Sequence, residues 1–235
     1  MKTVEQLDEY MTRPSSRLIA DMTKISGDII ILGVGGKMGP TLAKLAKRAV
    51  EEAGLNKKVI GVSRFSSGNL KNELEDFGIE TISADLLNES ELEALPEVEN
   101  VIFMAGKKFG TVGDEHTTWV MNTYLPGRIA EKFSRSNIVV FSSGNIYPFV
   151  NVNHGGCTEE TRTDPVGEYA QSTLGRERIF TYFSKKNRTP VLLFRLNYSI
   201  DMRYGVLLEI AQQVYNNEPI DLTTGLVNVI WQGDA

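Results

Sequence analysis

Three glycines spaced three residues apart follow a strongly apolar run near the start of the chain. The run is residues 29–32 (IIIL), and Gly33, Gly36 and Gly39 come directly after it. A helical pattern then extends over residues 41–53. Glycine allows a tight turn and lets an anion approach the backbone, and the free amides at a helix N-terminus point at that anion. This order of strand, glycine turn and helix predicts a site for the phosphates of a dinucleotide.

The elements around this turn favour a ligand-binding site over a plain structural turn. A glycine triplet alone is a weak signal, since many loops contain one. Here a second apolar run at residues 59–62 follows the helix and completes a strand–helix–strand unit of the kind that binds dinucleotides. Lys37 and Met38 lie inside the turn and are expected to contact the same ligand.

Apolar runs alternate with helical patterns along most of the chain, as in a parallel sheet covered by helices on both faces. The predicted strands are residues 29–32, 59–62, 80–83, 101–104, 138–141 and 191–194. The clearest later helices are predicted at 117–134 and 168–186. The predicted fold class is therefore α/β, with a Rossmann-like, doubly wound parallel sheet. In such a sheet the ligand lies over the carboxyl ends of the strands.

The composition is that of an ordinary globular protein, and it argues against several functions. A net charge of −5 disfavours general affinity for nucleic acid or an acidic membrane surface. No apolar run approaches the roughly 20 residues that cross a bilayer, and the N-terminus lacks a signal core, so a cytoplasmic location is expected. The single Cys157 cannot form an internal disulfide and is interpreted as an incidental loop thiol. His116 and His154 lack metal-ligand spacing, so no metal site is expected.

Two further segments relate the glycine turn to a known family. The GxxGxxG spacing resembles the short-chain dehydrogenase/reductase superfamily, particularly its extended branch of NAD(P)-dependent epimerases and dehydratases. Residues 142–147 (SSGNIY) resemble the Ser-Ser-x-x-x-Tyr segment of that branch. Tyr169, Ser172, Leu174 and Glu177 fall in the pattern of its catalytic helix. The resemblance extends from about residue 28 to the end of the chain.

The sequence pattern and the resemblance together predict three parts of the chain. Residues 1–27 form an N-terminal helical extension of one or two short helices, and residues 28–200 form the NAD(P)-binding Rossmann domain. Residues 201–235 begin a small substrate-binding lobe, because the chain is either unusually short for the family or part of a longer polypeptide. Pairing through the helices at 117–134 and 168–186, as in the superfamily, implies a homodimer.

Residues after the second and third strands are expected to bind the adenosine half of the cofactor. The carboxylate of NAD-selective sites is missing there, and Ser63 and Arg64 stand in its place. A hydroxyl and a fixed cation suit a 2′-phosphate, so NADP is favoured over NAD, although extended members with an arginine here also use NAD. Asp85 and Leu86 resemble the family's acidic–apolar pair at the adenine. The alternative is that Asp85 caps the next helix.

The resemblance assigns the other cofactor contacts to residues around the later strands. In chain order they are Met104, Ala105, Gly106, Asn122, Ser142, Leu196 and Asn197. The first three match the small-residue turn beside the ribose, and the last two edge the nicotinamide. Asn122 matches an asparagine that shapes the site.

The reaction centre departs from the family at one position. Ser143 aligns with the hydroxyl that hydrogen-bonds the reacting oxygen of the substrate, and Tyr169 aligns with the tyrosine that moves the proton. Thr173 replaces the lysine of Tyr-x-x-x-Lys; it can keep a ribose hydrogen bond but supplies no charge. In the family that lysine lowers the pKa of the tyrosine, and one close cation lowers a pKa by roughly 1–3 units. We therefore expect catalysis to be weakened and not abolished.

Nearby cations are candidates to replace the missing lysine. Lys107 and Lys108 follow the fourth strand, on the rim of the reaction centre. Arg176 shares a helix face with Tyr169 but lies two turns away, which makes direct contact less plausible. Lys108 is therefore the favoured candidate. The alternative interpretation of each residue is a solvated surface charge.

The resemblance implies an NAD(P)-dependent oxidoreductase or epimerase that acts on a carbinol or ketone, with a sugar or nucleotide sugar as substrate. Gly144 and Asn145 stand where the dehydratase variant has Asp and Glu, which counts against sugar 4,6-dehydration. The alternative is a dinucleotide-binding regulator or scaffold that has lost turnover. Thr173 supports that alternative, whereas the retention of Ser143 and Tyr169 opposes it.

Overall fold

A six-stranded sheet forms the centre of the computed structural model, which describes residues 2–66, 68–223 and 225–235. All neighbouring strands in this sheet are parallel. The strands are β1 (Ile29–Leu32), β2 (Val59–Ser63), β3 (Glu80–Ser83), β4 (Asn100–Phe103), β5 (Asn137–Ser143) and β6 (Val191–Leu196). Their order is 3-2-1-4-5-6, which is that of a Rossmann fold. The six predicted strands and the predicted fold class are confirmed.

Helices connect the strands and cover both faces of the sheet. They are α1 (Val4–Met11), α2 (Ser16–Met22), α3 (Gly39–Glu52), α4 (Leu70–Asp76), α5 (Glu89–Glu93), α6 (Glu115–Trp119), α7 (Leu125–Lys132), α8 (Gly167–Asn187) and α9 (Val206–Tyr215). A π-helical turn, Val120–Tyr124, joins α6 to α7, so the helix predicted at 117–134 is interrupted. Short 3-10 turns lie at Gly144–Ile146 and Val152–His154.

The apolar runs of the sequence form the core because helices bury a parallel sheet on both faces. In β1, Ile30 and Leu32 pack in one apolar cluster with residues of α7 and α8. Ile29 and Ile31 point to the other face and pack in a second cluster with residues of α3. All four side chains are at most 3% exposed. This two-sided burial fixes where each strand ends and therefore where the loops that carry polar residues begin.

A second, two-stranded sheet lies in the C-terminal part of the chain. Its strands β7 (Tyr198–Ile200) and β8 (Val229–Trp231) pair in parallel. Arg203 lies just after β7 and donates hydrogen bonds to Asp201, to Asp8 of α1 and to Thr41 of α3. The N-terminal helices and the C-terminal segment are thus tied together at the helix that follows the glycine turn.

Two kinds of feature are absent from the residues that the structure describes. No helix there has the length and apolar character needed to cross a membrane. The same residues contain no group of three or more His, Cys, Asp or Glu side chains that could hold a metal ion.

Candidate active site

The candidate site lies at the carboxyl ends of β1 and β4, where the strand order of the sheet reverses. A cavity of about 300 Å³ opens there. One side of it is the glycine turn, with Gly33, Gly36, Lys37 and Met38. Across the cavity lie Ser142, Ser143, Tyr169, Leu196 and Asn197. The structure therefore brings the predicted phosphate-binding turn and the predicted reaction centre to the same cavity.

Steric constraints shape the glycine turn. Gly33 has φ +93°, a backbone conformation that favours glycine, and a Cβ there would lie 2.7 Å from the backbone nitrogen of Ala105. A Cβ on Gly39 would overlap the carbonyl oxygen of Val34, so only glycine lets α3 begin this close to β1. Gly36 is exposed, and a Cβ there would have its nearest neighbour at 3.6 Å. The turn thus leaves an open backbone face at the N-terminus of α3, which fits a diphosphate.

Two buried serines at the end of β5 reach the cavity with different hydrogen bonds. The hydroxyl of Ser142 donates to Oε1 of Glu177 at 2.5 Å. The hydroxyl oxygen of Ser143 accepts from the backbone amide of Asn145 at 3.2 Å, a bond that does not use its own proton. Ser143 can therefore donate to an oxygen in the cavity, whereas the proton of Ser142 is engaged.

A partly buried ion pair supports the Ser142 side of the cavity. Arg195 of β6 donates to both carboxylate oxygens of Glu177 in α8, from Nε at 3.0 Å and from Nη2 at 2.9 Å. Its Nη1 also donates to the hydroxyl of Tyr147 at 2.9 Å. The hydrogen bond to Glu177 raises the pKa of Arg195. This pair is not predicted from the sequence. The available signal was Arg195, a charged residue within the otherwise apolar strand β6.

Tyr169 lies in the first turn of α8 and is half-buried on the cavity wall. Its backbone carbonyl accepts from the hydroxyl of Ser172 at 3.0 Å and from that of Thr173 at 2.8 Å. Thr173 is only 1% exposed and lies outside the cavity lining. The structure therefore does not bring Thr173 to the site, because its hydroxyl is bonded within its own helix.

Asn122 lies in the π-helical turn and is fully buried. Its side-chain oxygen accepts from the amide of Lys107 at 2.9 Å and from Nη2 of Arg176 at 2.8 Å. Its side-chain nitrogen donates to the carbonyl of Lys107 at 2.8 Å and to the hydroxyl of Ser172 at 3.0 Å. Asn122 thus joins the loop after β4 to α8 behind the cavity, at a kind of helical turn that is frequent at functional sites.

The three candidate cations have different surroundings. Lys107 pairs with Asp114. Lys108 lines the cavity, and partial burial together with the charge of Lys37 lowers its pKa. Arg176 is only 6% exposed, so its interpretation as a solvated surface charge is wrong.

The three residues predicted to form the small-residue turn after β4 have different positions. Met104 lines it, whereas Ala105 is buried against Gly33. Gly106 is exposed, and a Cβ on it would lie 2.9 Å from Oδ1 of Asn122. The small size of Gly106 therefore makes room for the groups behind the cavity.

The residues predicted to bind adenosine lie on the other side of the glycine turn, at the ends of β2 and β3. A Cβ on Gly35 would lie 2.5 Å from the hydroxyl oxygen of Ser63, so this hydroxyl borders the turn. Arg64 is exposed. The structure thus places a hydroxyl and a cation next to the turn but outside the lining of the cavity.

The acidic–apolar pair after β3 has a different local role from helix capping. Asp85 accepts a hydrogen bond from the backbone amide of Leu87 at 3.0 Å. The N-terminus of α5 is capped by Asn88, so the alternative that Asp85 caps this helix is wrong. Leu86 is buried and packs in the apolar core.

The model of a known protein family matches most of the chain. The model of the family described as "NAD dependent epimerase/dehydratase family" matches residues 29–203, which confirms the resemblance seen in the sequence. None of the curated proteins compared matches the chain.

Several solved structures are similar to this chain. UDP-glucuronic acid 4-epimerase from Bacillus cereus, in complex with UDP-glucuronic acid and NAD, is 16% identical with a TM-score of 0.64, over 82% of this chain and 64% of that one. dTDP-glucose 4,6-dehydratase from Bacillus anthracis, in complex with NAD, is 16% identical with a TM-score of 0.73, over 89% of this chain and 69% of that one. UDP-N-acetylglucosamine 4-epimerase from Methanobrevibacter ruminantium is 18% identical with a TM-score of 0.72, over 89% of this chain and 70% of that one. These likenesses show the fold, and the chain spans about two thirds of the length of these enzymes.

Proposed function

Because the chain belongs to the NAD dependent epimerase/dehydratase family, we propose that it is an NAD(P)-dependent oxidoreductase or epimerase. Its reacting group is a carbinol or a ketone, and the substrate that carries this group is a sugar or a nucleotide sugar. The observation that carries this proposal is the cavity shared by the glycine turn, Ser143 and Tyr169. A turn of purely structural importance does not require an open backbone face directed at a phenol and a serine hydroxyl.

The residues around the cavity fit a nicotinamide dinucleotide, which two of the similar solved structures contain as NAD. When bound, such a cofactor supplies a ring that accepts or returns a hydride. The open face at Gly36 and the first amides of α3 are the place for its diphosphate. Lys37 and Lys108 add positive charge to the same cavity. Leu196 and Asn197 border the part of the cavity that lies next to Ser143.

The side chains of this protein hold the reacting oxygen and move its proton. Tyr169 takes the proton of a substrate hydroxyl as general base, or returns it as general acid. Ser143 donates a hydrogen bond to the same oxygen, because its proton is not used in the bond to Asn145. The ion pair of Arg195 with Glu177, to which Ser142 donates, keeps the end of β5 in position.

A panel of nucleotide sugars and ketosugars tests the proposal with two readouts. The absorbance of the reduced nicotinamide follows an oxidoreductase, and chromatography of the product sugar follows an epimerase, which returns the hydride and leaves the cofactor unchanged. We expect turnover with at least one member of the panel. Tyr169→Phe should lower the rate by at least about a hundredfold without loss of dinucleotide binding. Tyr215→Phe, at an 87% exposed position, is the matched control and should keep the parental rate. Dinucleotide binding without turnover across the panel would contradict the enzymatic function and favour a dinucleotide-binding regulator.

NADP is the cofactor that we propose for this site. Arg64 and Ser63 offer a cation and a hydroxyl to a 2′-phosphate at the end of β2. Titrations with NADPH and NADH, followed by nicotinamide fluorescence, test this preference. We expect tighter binding of NADPH and a loss of about tenfold in its affinity in Arg64→Ala, since a hydrogen bond to a charged group is worth about 1.5–3 kcal/mol. Equal affinities in the parent would defeat the preference.

A homodimer is the assembly that we propose. Large apolar or aromatic side chains are exposed along α6, the π-helical turn and α8, namely Trp119, Val120, Tyr124 and Tyr182. Light scattering on the purified chain is expected to give twice the mass of one 26.1 kDa chain. Tyr124→Glu should shift that mass to the monomer, and Tyr215→Glu is the matched control on α9. A parental mass of one chain would contradict the proposal.

A further inference from the structure

Arg176 is a buried cation whose charge is not neutralised by direct contact. Its Nη1 donates to the carbonyl of Phe141 at 2.6 Å, and its Nη2 donates to Oδ1 of Asn122 at 2.8 Å. Both acceptors are neutral, and Nε has no hydrogen-bond partner within the described part of the chain. The neighbouring carboxylate of Glu177 is already bonded to Arg195. Burying a charge without a charged partner is costly. Because no carboxylate among the described residues contacts the guanidinium of Arg176, its positive charge still acts on nearby groups.

Arg176 and Tyr169 lie two turns apart in the same helix, α8. Helical side chains lean toward the N-terminus of their helix, so Arg176 reaches back along α8 toward its first turn. A continuous series of hydrogen bonds covers the remaining distance. It runs from Arg176 to Asn122 at 2.8 Å, from Asn122 to the hydroxyl of Ser172 at 3.0 Å, and from Ser172 to the carbonyl of Tyr169 at 3.0 Å. Phe141, which accepts from the guanidinium, lines the cavity itself.

Burial lowers the pKa of Arg176 to about 10, and the charges of Tyr169 and Glu177 act in the opposite direction. At neutral pH the guanidinium is therefore still charged. A phenolate on Tyr169 raises the pKa of Arg176, so the two charges favour each other. For Lys108, the charge that affects the ammonium is that of Lys37.

We propose that Arg176 is a positioning residue that supplies to Tyr169, from behind the cavity, the positive charge that the lysine of Tyr-x-x-x-Lys supplies in the family. The proposal rests on the proposed function, because only a proton-accepting phenol needs such a charge. It assigns to Arg176 the role for which the sequence alone favours Lys108. The charge favours the phenolate of Tyr169, so it acts through that residue without contacting the substrate.

The residues at positions 173 and 106 are consistent with this role of Arg176. Thr173 turns its hydroxyl into its own helix at 1% exposure and leaves no charge on that turn. Gly106 accommodates the guanidinium, because a Cβ at that position would overlap Nη2 of Arg176. A short side chain at 173 and a missing side chain at 106 thus accompany the long, charged side chain at 176.

Nitration of Tyr169 by tetranitromethane tests the proposal without cofactor or turnover, because this reagent attacks phenolates. The reaction is followed by peptide mass spectrometry in a Cys157→Ser background, since the reagent also oxidises thiols. Tyr215, which is 87% exposed and lies on α9, is the internal reference. Four variants are compared with the parent: Arg176→Met, Arg176→Gln, Arg176→Lys and the double variant Thr173→Lys/Arg176→Met.

Loss of the charge should slow nitration of Tyr169 relative to Tyr215 by about tenfold in Arg176→Met, the effect of one close charge. Arg176→Gln keeps hydrogen-bond donors without charge and should show the same loss. It therefore keeps the test informative if Arg176→Met fails to fold. Arg176→Lys and the double variant should restore the rate, since both return a cation. A merely structural role predicts faster nitration in an opened site and no rescue by Thr173→Lys.

An unchanged ratio of Tyr169 to Tyr215 nitration in the neutral variants would overturn the proposal. A parent chain that binds no dinucleotide would instead overturn the proposed function, and with it the purpose assigned to the charge. The two failures are thus distinguishable, because the nitration comparison uses the protein without ligand.

Discussion

Gly36 and Gly39 meet different requirements of the same turn, which makes them a matched pair for mutation. Gly36→Ala adds a methyl group with 3.6 Å of clearance on the face that we assign to the diphosphate. Gly39→Ala forces a methyl group into the carbonyl of Val34. The first requirement belongs to ligand binding, and the second belongs to the packing of α3 on β1.

We therefore predict that Gly36→Ala keeps the parental stability and weakens dinucleotide binding by at least about tenfold, the cost of one lost charged hydrogen bond. Gly39→Ala should lower the free energy of unfolding by about 1–3 kcal/mol, since overpacking in a close contact carries that cost. Urea denaturation and a fluorescence titration with NADH measure the two effects. Equal loss of stability in both variants would contradict the separation of roles.

Motif spacing could predict Ser143 and Tyr169 from the sequence, because each lies at a fixed offset from neighbours in the same segment. The same reasoning could not predict the burial of Arg176. Its partner Asn122 lies 54 residues away in the sequence, and no local pattern records that contact. Charged residues on helices are usually solvated, so the expectation of a surface charge was reasonable and wrong.

At the level of elements, periodicity of apolar residues was sufficient to locate all six strands and the long helix α8. It could not reveal the π-helical turn Val120–Tyr124. A π-helical turn contains one additional residue, which shifts the apolar face of the helix. In short helices the apolar pattern covers too few residues for this shift to be detected from the sequence. The consequence of that turn is visible only in three dimensions, where it coincides with the buried side chain of Asn122.

We predict that Asn122→Ala lowers the free energy of unfolding by about 2–4 kcal/mol. The reason is that Lys107, Ser172 and Arg176 lose their hydrogen-bond partner, at a net cost of roughly 0.5–1.5 kcal/mol for each of the three. Urea denaturation measures the loss. Asn145→Ala, at an exposed position, is the matched control and should leave stability unchanged. A loss no larger than that of the control would show that the network behind the cavity is not needed for folding.

At the level of the whole molecule, Arg203 connects the two ends of the chain. It bonds Asp201, whose side chain is fully buried, at 2.6 Å, and it also pairs with Asp8 of α1. We propose that residues 1–27 are an extension that is held in this way to the C-terminal segment and, through the pair of Glu9 with Arg48, to the Rossmann domain of residues 28–200. Residues 201–235 are then the start of a substrate-binding lobe.

Arg203→Met should lower the free energy of unfolding by about 3 kcal/mol, because it leaves the buried carboxylate of Asp201 without its partner. Limited proteolysis should then cut first near α1, which loses its contact with the C-terminal segment. The double variant Arg203→Met/Asp201→Asn removes the stranded charge and should recover part of the stability. Identical stability of the single and double variants would rule out the buried carboxylate as the cause.

The bond between Asp8 and Arg203 also sets an order of events during synthesis. The two residues are 195 positions apart. At about 5–20 residues per second, the ribosome needs roughly 10 to 40 s to deliver Arg203 after Asp8. Throughout that interval the first helix of a nascent chain lacks its last anchor, while the sheet behind it is already being made.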